Sequence, residues 1–226
     1  MVSKWIGRAT WGMFEPPRAT CELALSGAAF PVLLATAPRG ERHPVLVVPG
    51  VGAGPTWAAP LRTFTRALGY PTHGPRPFAT KGGPGWVRER LIAQLEDLAD
   101  RYGEPTSVVG WSVGGSNARE AAYARPDLVR QVITLGAPLT SGWFSRDHQE
   151  ARESLKVPCT ALYTRWDHIF PWRDCLQQDD PRAENVEIIA SHLGMASNPL
   201  AWWIIADRLA LPTDGWRRYR PEEVAP

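Results

Sequence analysis

Two hydrophobic periodicities alternate along this chain. Short, continuous apolar or β-branched runs at 45–48, 70–73, 106–110, 130–135, 159–164 and 185–190 read as buried strands. Between them, apolar residues recur every three or four positions. The clearest such stretch is 86–102, where Val87, Leu91, Leu95, Leu98 and Tyr102 share one face and Arg88, Glu89, Gln94 and Asp97 fill the other. A second helix is predicted over 58–68: Pro60 suits its first turn, Leu61, Phe64 and Leu68 line a face, and Gly69 suits its stop. Small residues follow 106–110 and predict a helix to about 125; a helical turn is expected near 171–178. Asn198 and Pro199 supply the cap and first residue of a last helix carrying Leu200, Trp203, Ile204 and Leu211. Strands alternating with helices at this spacing predict an α/β protein with about six mostly parallel strands flanked by helices.

The N-terminus breaks the pattern. Residues 23–37 are apolar and rich in small side chains, end in Ala35-Thr36-Ala37, and have Lys4 and Arg8 upstream. A secretory signal would look similar, but the preceding segment is long, carries Glu15 and Glu22, and contains Pro16-Pro17. Pro31 interrupts the run, which falls short of the ~20 apolar residues that span a bilayer. The expectation is one or two short helices over 20–36 docked on the core, with contact to a membrane surface as the alternative. The organisation expected is an extension at 1–40, one domain at 41–213 and a tail at 214–226.

Composition narrows the class without choosing a function. The 226 residues suffice for one domain with a sizeable core. A net charge of +2 gives no sign of a nucleic-acid partner, and the basic run Trp216 to Arg220 reads as a solvated tail. Three cysteines with no close pair argue against a disulfide framework, leaving only a bridge between Cys159 and Cys175 open. No Cys/His spacing suggests a metal, and no cofactor is implied. A cytoplasmic protein is expected, with secretion or a membrane-peripheral position as alternatives.

The chemistry is carried by Gly110-Trp111-Ser112-Val113-Gly114, which joins the strand at 106–110 to a helix. A strand turning sharply into a helix at a serine forces strained backbone geometry there and exposes the hydroxyl above the sheet. Glycines two residues to either side make the turn sterically feasible. Asp167 follows the strand at 159–164 and His192 the strand at 185–190, so three strand ends carry Ser112, Asp167 and His192 in that order. Chemistry in open parallel sheets gathers outside the carboxyl ends of strands.

With Gly110 to Gly115 reading Gly-x-Ser-x-Gly-Gly, and Val45 to Val51 reading as a first core strand with its loop, the chain resembles the lipase and esterase-like α/β-hydrolases. The resemblance covers roughly 43–211. It implies Ser112 as nucleophile, Asp167 as acid, His192 as base, and the backbone N–H groups of Val51 and Val113 as an oxyanion hole. It implies ester hydrolysis, with thioesterase or acyltransferase chemistry, a membrane-surface lipase and a non-catalytic binding protein as successively different readings. Serine at the elbow departs from haloalkane dehalogenases, which carry aspartate there. Only 139–156 is available for a lid, so the fold is expected to be compact with no full lid domain.

Competing assignments are weaker. Gly50-Val51-Gly52-Ala53-Gly54 begins a βα unit, but its spacing is wrong for a dinucleotide cradle and no acid ends the next strand. His43 and His73 have no place in the Ser-acid-His order, and His148 lies in a charged loop. His168 is expected at the pocket rim; Asp174, Asp179 and Asp180 lie away from strand ends. Asp167 could instead cap the turn before Phe170-Pro171, and His192 could be a buried structural histidine. Of the eleven tryptophans, Trp202 and Trp203 read as core, whereas Trp57, Trp111 and Trp143, together with Phe144, Ile169 and Met195, are candidate walls of an apolar substrate pocket.

Overall fold

The computed structural model describes residues 13–50, 56–76, 84–139, 155–177 and 180–221. Their strands form one all-parallel, six-stranded sheet: β1 (Val45–Val48), β2 (Thr72–His73), β3 (Thr106–Trp111), β4 (Val129–Leu135), β5 (Cys159–Tyr163) and β6 (Ala183–Glu187), in the order β2-β1-β3-β4-β5-β6. Among the described residues five α-helices flank it: α1 (Glu15–Thr36), α2 (Ala59–Ala67), α3 (Pro84–Tyr102), α4 (Val113–Ala124) and α5 (Pro199–Leu209).

Because side chains alternate across a strand, the central strands feed two cores. Val45, Val47, Val109, Ile133, Leu135 and Leu162 pack on one face with Leu33, Leu61, Phe64 and Trp202, from α1, α2 and α5. Leu46, Val48, Val108 and Val132 pack on the other with Leu91, Leu95, Leu98 and Ala118, from α3 and α4. Phe64 stacks on Trp202 at 5.0 Å, and Phe30 meets both edge-on, so one aromatic cluster joins α1, α2 and α5. The predicted cap also forms: Asn198 Oδ1 accepts the N–H groups of Leu200 and Ala201.

Several expectations are corrected. The N-terminal segment is one 22-residue helix that begins five residues early and runs through Pro31. By length and mean hydropathy it could cross a membrane, yet it packs on the protein's own core. Its buried stripe opens with Glu15, Ala19, Glu22 and Ser26. The second strand is only Thr72–His73. The sixth spans 183–187 rather than 185–190, because its register with β5 runs from Cys159 opposite Ala183 to Tyr163 opposite Glu187; past that, the Ile188 N–H donates to the Tyr163 carbonyl as the ladder ends. Ile189 is consequently 80% exposed. Glu184 occupies a buried place in β6, where its carboxylate accepts bonds from Thr160 Oγ1, Arg208 Nη1 and the Tyr219 N–H. That last contact, with the bond from Arg208 to the Arg217 carbonyl, holds the tail's backbone against the domain, while Arg217, Arg218 and Arg220 are exposed as expected. No disulfide joins Cys159 and Cys175, which are both buried.

Candidate active site

Ser112 stands at the junction of β3 and α4 with φ 56° and ψ −135°, the one non-glycine residue of positive φ among those described. Its N–H donates to the Leu135 carbonyl, tying the turn to the end of β4. The flanking glycines are required by space. A β-carbon on Gly110 would stand 2.4 Å from the Gly115 Cα, and one on Gly114 would stand 2.4 Å from the carbonyl oxygens of both Val48 and Pro49. Backbone held in so sparsely populated a region costs of order 1–3 kcal/mol and persists only where surrounding structure imposes it.

The structure brings Ser112, Asp167 and His192 together at the carboxyl edge of the sheet. His192 Nε2 lies 3.1 Å from Ser112 Oγ, and His192 Nδ1 lies 2.7 Å from Asp167 Oδ2. All three residues are buried, Ser112 at 8% exposure. Asp167 divides its carboxylate: Oδ1 accepts the N–H groups of Ile169 and Phe170, and Oδ2 faces the imidazole. The turn-capping role weighed against Asp167 is therefore present as well, on the other oxygen. Trp111 Nε1–H donates to the His192 carbonyl, while Phe170 meets the imidazole edge-on at 5.3 Å.

Placement of the other predicted residues is mixed. Val113 is buried at the start of α4, next to Ser112. Val51, Trp143 and Phe144 lie outside the described residues. Gly50 approaches Ser112 closely: a β-carbon there would stand 2.9 Å from Ser112 Cβ. Trp57 is 42% exposed and lines a groove of about 220 Å³ with Ala19, Leu23, Pro60 and Leu193. Ile169 is exposed, two residues after Asp167. Trp111 and Met195 are buried, because the sheet face that carries Val109 and Leu135 continues into them; the Trp111 ring lies 6.0 Å from that of Trp57 and 6.1 Å from that of His192. A larger hollow of about 690 Å³, between β6, α5 and the tail, contains none of the three polar residues. His73 bonds Tyr102, and His43 is buried against Ser107, at the opposite end of β1. Among the described residues no cluster of His, Cys, Asp or Glu could hold a metal.

Sequence reasoning missed the part played by α1. Glu15 accepts the backbone N–H groups of His168 and Leu193, and Glu22 accepts that of Ser191. The signal was present in the spacing. The only charges between 15 and 36 are Glu15, Arg18 and Glu22, at helical intervals on one face.

No protein-family model and no curated protein sequence matches the chain. Solved structures do resemble it. Aspergillus fumigatus lipase B aligns with a TM-score of 0.65 at 17% identity, over 80% of this chain and 58% of the lipase. Paleococcus ferrophilus monoacylglycerol lipase aligns at 0.59 and 17% identity, over 77% of this chain and 97% of that one. An α/β-hydrolase enzyme from the metagenome of lagoon sediments at Mar Chica, Morocco, aligns at 0.53 and 16% identity, over 75% and 90%. With the all-parallel sheet and its strand order, these likenesses show the α/β-hydrolase fold.

Proposed function

We propose that this α/β-hydrolase-fold protein is a serine hydrolase that cleaves carboxylic esters through an acyl-enzyme. One observation carries the reading: the continuous contact from Ser112 Oγ through both imidazole nitrogens of His192 to Asp167 Oδ2, on a serine in strained geometry at a strand-helix turn. With Nδ1–H donated to Asp167, the lone pair of Nε2 faces the serine hydroxyl. His192 takes the hydroxyl proton as Oγ attacks the ester carbonyl, and Asp167 stabilises the imidazolium. The tetrahedral oxyanion is met by the N–H of Val113 and, by the resemblance in the loop after β1, that of Val51. Each such donor is worth about 3 kcal/mol in comparable sites. His192 then protonates the departing alkoxide, and the carbonyl re-forms as a Ser112 ester. Water, deprotonated by the same nitrogen, attacks that ester and releases the carboxylic acid.

The substrate class is read from the surroundings. The groove beside Leu193 is walled mainly by apolar side chains, which suits an acyl chain better than a charged group. The test is hydrolysis of p-nitrophenyl esters of graded chain length, with acyl-CoA in parallel, by wild type and Ser112→Ala. The variant is expected to fold normally and to lose ~10³-fold or more in kcat. Turnover by folded Ser112→Ala near that of wild type would sink the assignment.

A further inference from the structure

The loops after β5 and β6 carry Asp167 and His192 beyond the last ladder bonds of the sheet. The Thr164 hydroxyl ties the two loops at one point, donating to the Ala190 carbonyl and accepting the Trp166 N–H. More than one tie is needed to fix their separation, since misplacing a reacting group by about 1 Å can cost ~10²-fold in rate. From the geometry we infer that α1 does this, with Glu15, Arg18 and Glu22 acting as positioning residues; the inference rests on the serine-hydrolase reading above.

Most of the bonds of these three side chains fall within two residues of Asp167 or His192. Glu15, fully buried, straddles both loops: Oε1 accepts the His168 N–H at 3.2 Å and Oε2 the Leu193 N–H at 3.1 Å, the residues following the acid and the base. Arg18 does the same with carbonyls, donating to Trp166 at 3.2 Å and Ala190 at 2.9 Å. Glu22 Oε1 accepts the N–H of Ser191, the residue before the base, at 2.6 Å, and Oε2 accepts from Asn198 Nδ2. One turn on, Ser26 Oγ donates to the Ser197 carbonyl.

Energetics argue that this is more than docking. Burying a carboxylate is costly unless it is hydrogen-bonded, and a helix needing only adhesion would bury Leu or Val at those positions. Leu33 and Phe30 supply that adhesion in the second half of α1, whereas in its first half Glu15 and Glu22 face inward and Leu23 and Leu25 are 47% and 60% exposed. Bonds from N–H groups to an ionised carboxylate are roughly twice as strong as neutral ones. One rigid helix thereby couples two separate loops at fixed spacing.

Glu15→Gln tests this. The amide keeps one acceptor oxygen and turns an NH₂ group toward the N–H of the other loop, so one of the two attachments fails. Three readouts are taken: kcat and KM on a p-nitrophenyl ester, the acidic limb of the kcat/KM pH profile, and the downfield proton resonance of His192 Nδ1. The expected result is a fall in kcat of about tenfold or more with KM nearly unchanged. As the Asp167 contact loosens, the acidic limb moves to lower pH and the resonance shifts upfield. Leu25→Ser, on the outer face of the same helix, should match wild type in all three. A Glu15→Gln enzyme with unaltered pH limb and resonance, even if less thermostable, would overturn the inference and leave α1 a structural element. Should Glu15→Gln not fold, Arg18→Met leaves both carboxylates in place and is read the same way with smaller expected effects. Absence of ester hydrolysis in wild type would sink the proposed reaction, whereas the resonance needs no substrate and judges α1 independently.

Discussion

Gly136 lies against the imidazole of His192: a β-carbon there would stand 3.1 Å from Nδ1, 3.3 Å from Asp167 Oδ2 and 2.9 Å from Met195 Sδ. Its φ of 53° adds a second reason for glycine, since an L-residue in that conformation costs about 1–2 kcal/mol. Gly136→Ala is therefore expected to lower thermal stability by about that amount and, separately, to push the acid and base apart. Its kcat should fall by about tenfold or more, with KM little changed. Melting temperature and steady-state kinetics check both halves, and a variant with normal kcat would mean that the pair yields without functional loss.

Asp167→Asn separates the two jobs of that side chain. The amide oxygen can still accept the N–H groups of Ile169 and Phe170, so the turn and the fold should survive. The amide NH₂ would then face His192 Nδ1 and favour the tautomer that carries its proton on Nε2, the nitrogen that must accept from Ser112. A loss of ~10⁴-fold in kcat with near-normal stability is expected. Comparable stability loss and only mild kinetic loss would reverse the ranking of the two roles.

The parts of this molecule legible in the sequence were those where hydrophobic pattern and structure share one cause. The alternating cores of β1 and β3 and the face of α3 follow from burial alone; the places of Ser112, Asp167 and His192 follow from the Gly110–Gly114 turn and from the strands that precede them. The exceptions arose where polar residues occupy buried positions. Glu184 sits inside β6 because Thr160, Arg208 and the Tyr219 N–H satisfy it, so the apolar run around Ile188 and Ile189 looked the better strand. Glu15 and Glu22 argued against burial of the N-terminal segment, yet they are the residues that attach it. The burial of Trp111 and Met195 is not legible in the sequence either, since a large apolar side chain suits a pocket wall and a core equally.

Acid should weaken the fold through His43. Burial first, then the positive charge of Arg130, lowers its pKa from 6.5 to about 4, against an opposing bond to the Glu41 carbonyl. The folded state thus holds the ring neutral, while the unfolded chain takes up a proton near 6.5. The contribution is complete above that value and is lost as pH falls through about 4, amounting to up to about 3 kcal/mol. Urea unfolding between pH 7 and 4 should show His43→Gln less stable than wild type at neutrality, since Ser107 loses its partner, but much less sensitive to acid. Parallel pH dependence in the two proteins would assign acid lability elsewhere.

Substrate length is the remaining handle on the groove formed by Ala19, Thr20 and Leu23 of α1 with Trp57, Pro60 and Leu193. If the acyl chain lies there, each added methylene should raise kcat/KM by about fourfold until the groove is filled, following the ~0.8 kcal/mol gained per buried methylene. Short to medium chains should mark the end of that rise. Leu23→Asp puts a charge in the wall without touching Glu15, Arg18 or Glu22, so it should flatten the chain-length dependence and leave acetate esters almost unaffected. The three charged side chains also fix α1 in place, which makes it a wall rather than a mobile cover. Hydrolysis of a triglyceride across its solubility limit should accordingly show no abrupt rise when droplets form. An unchanged slope with chain length in Leu23→Asp would put the acyl group on another side of Ser112, and a sharp interfacial rise would mean that part of the chain opens at a lipid surface.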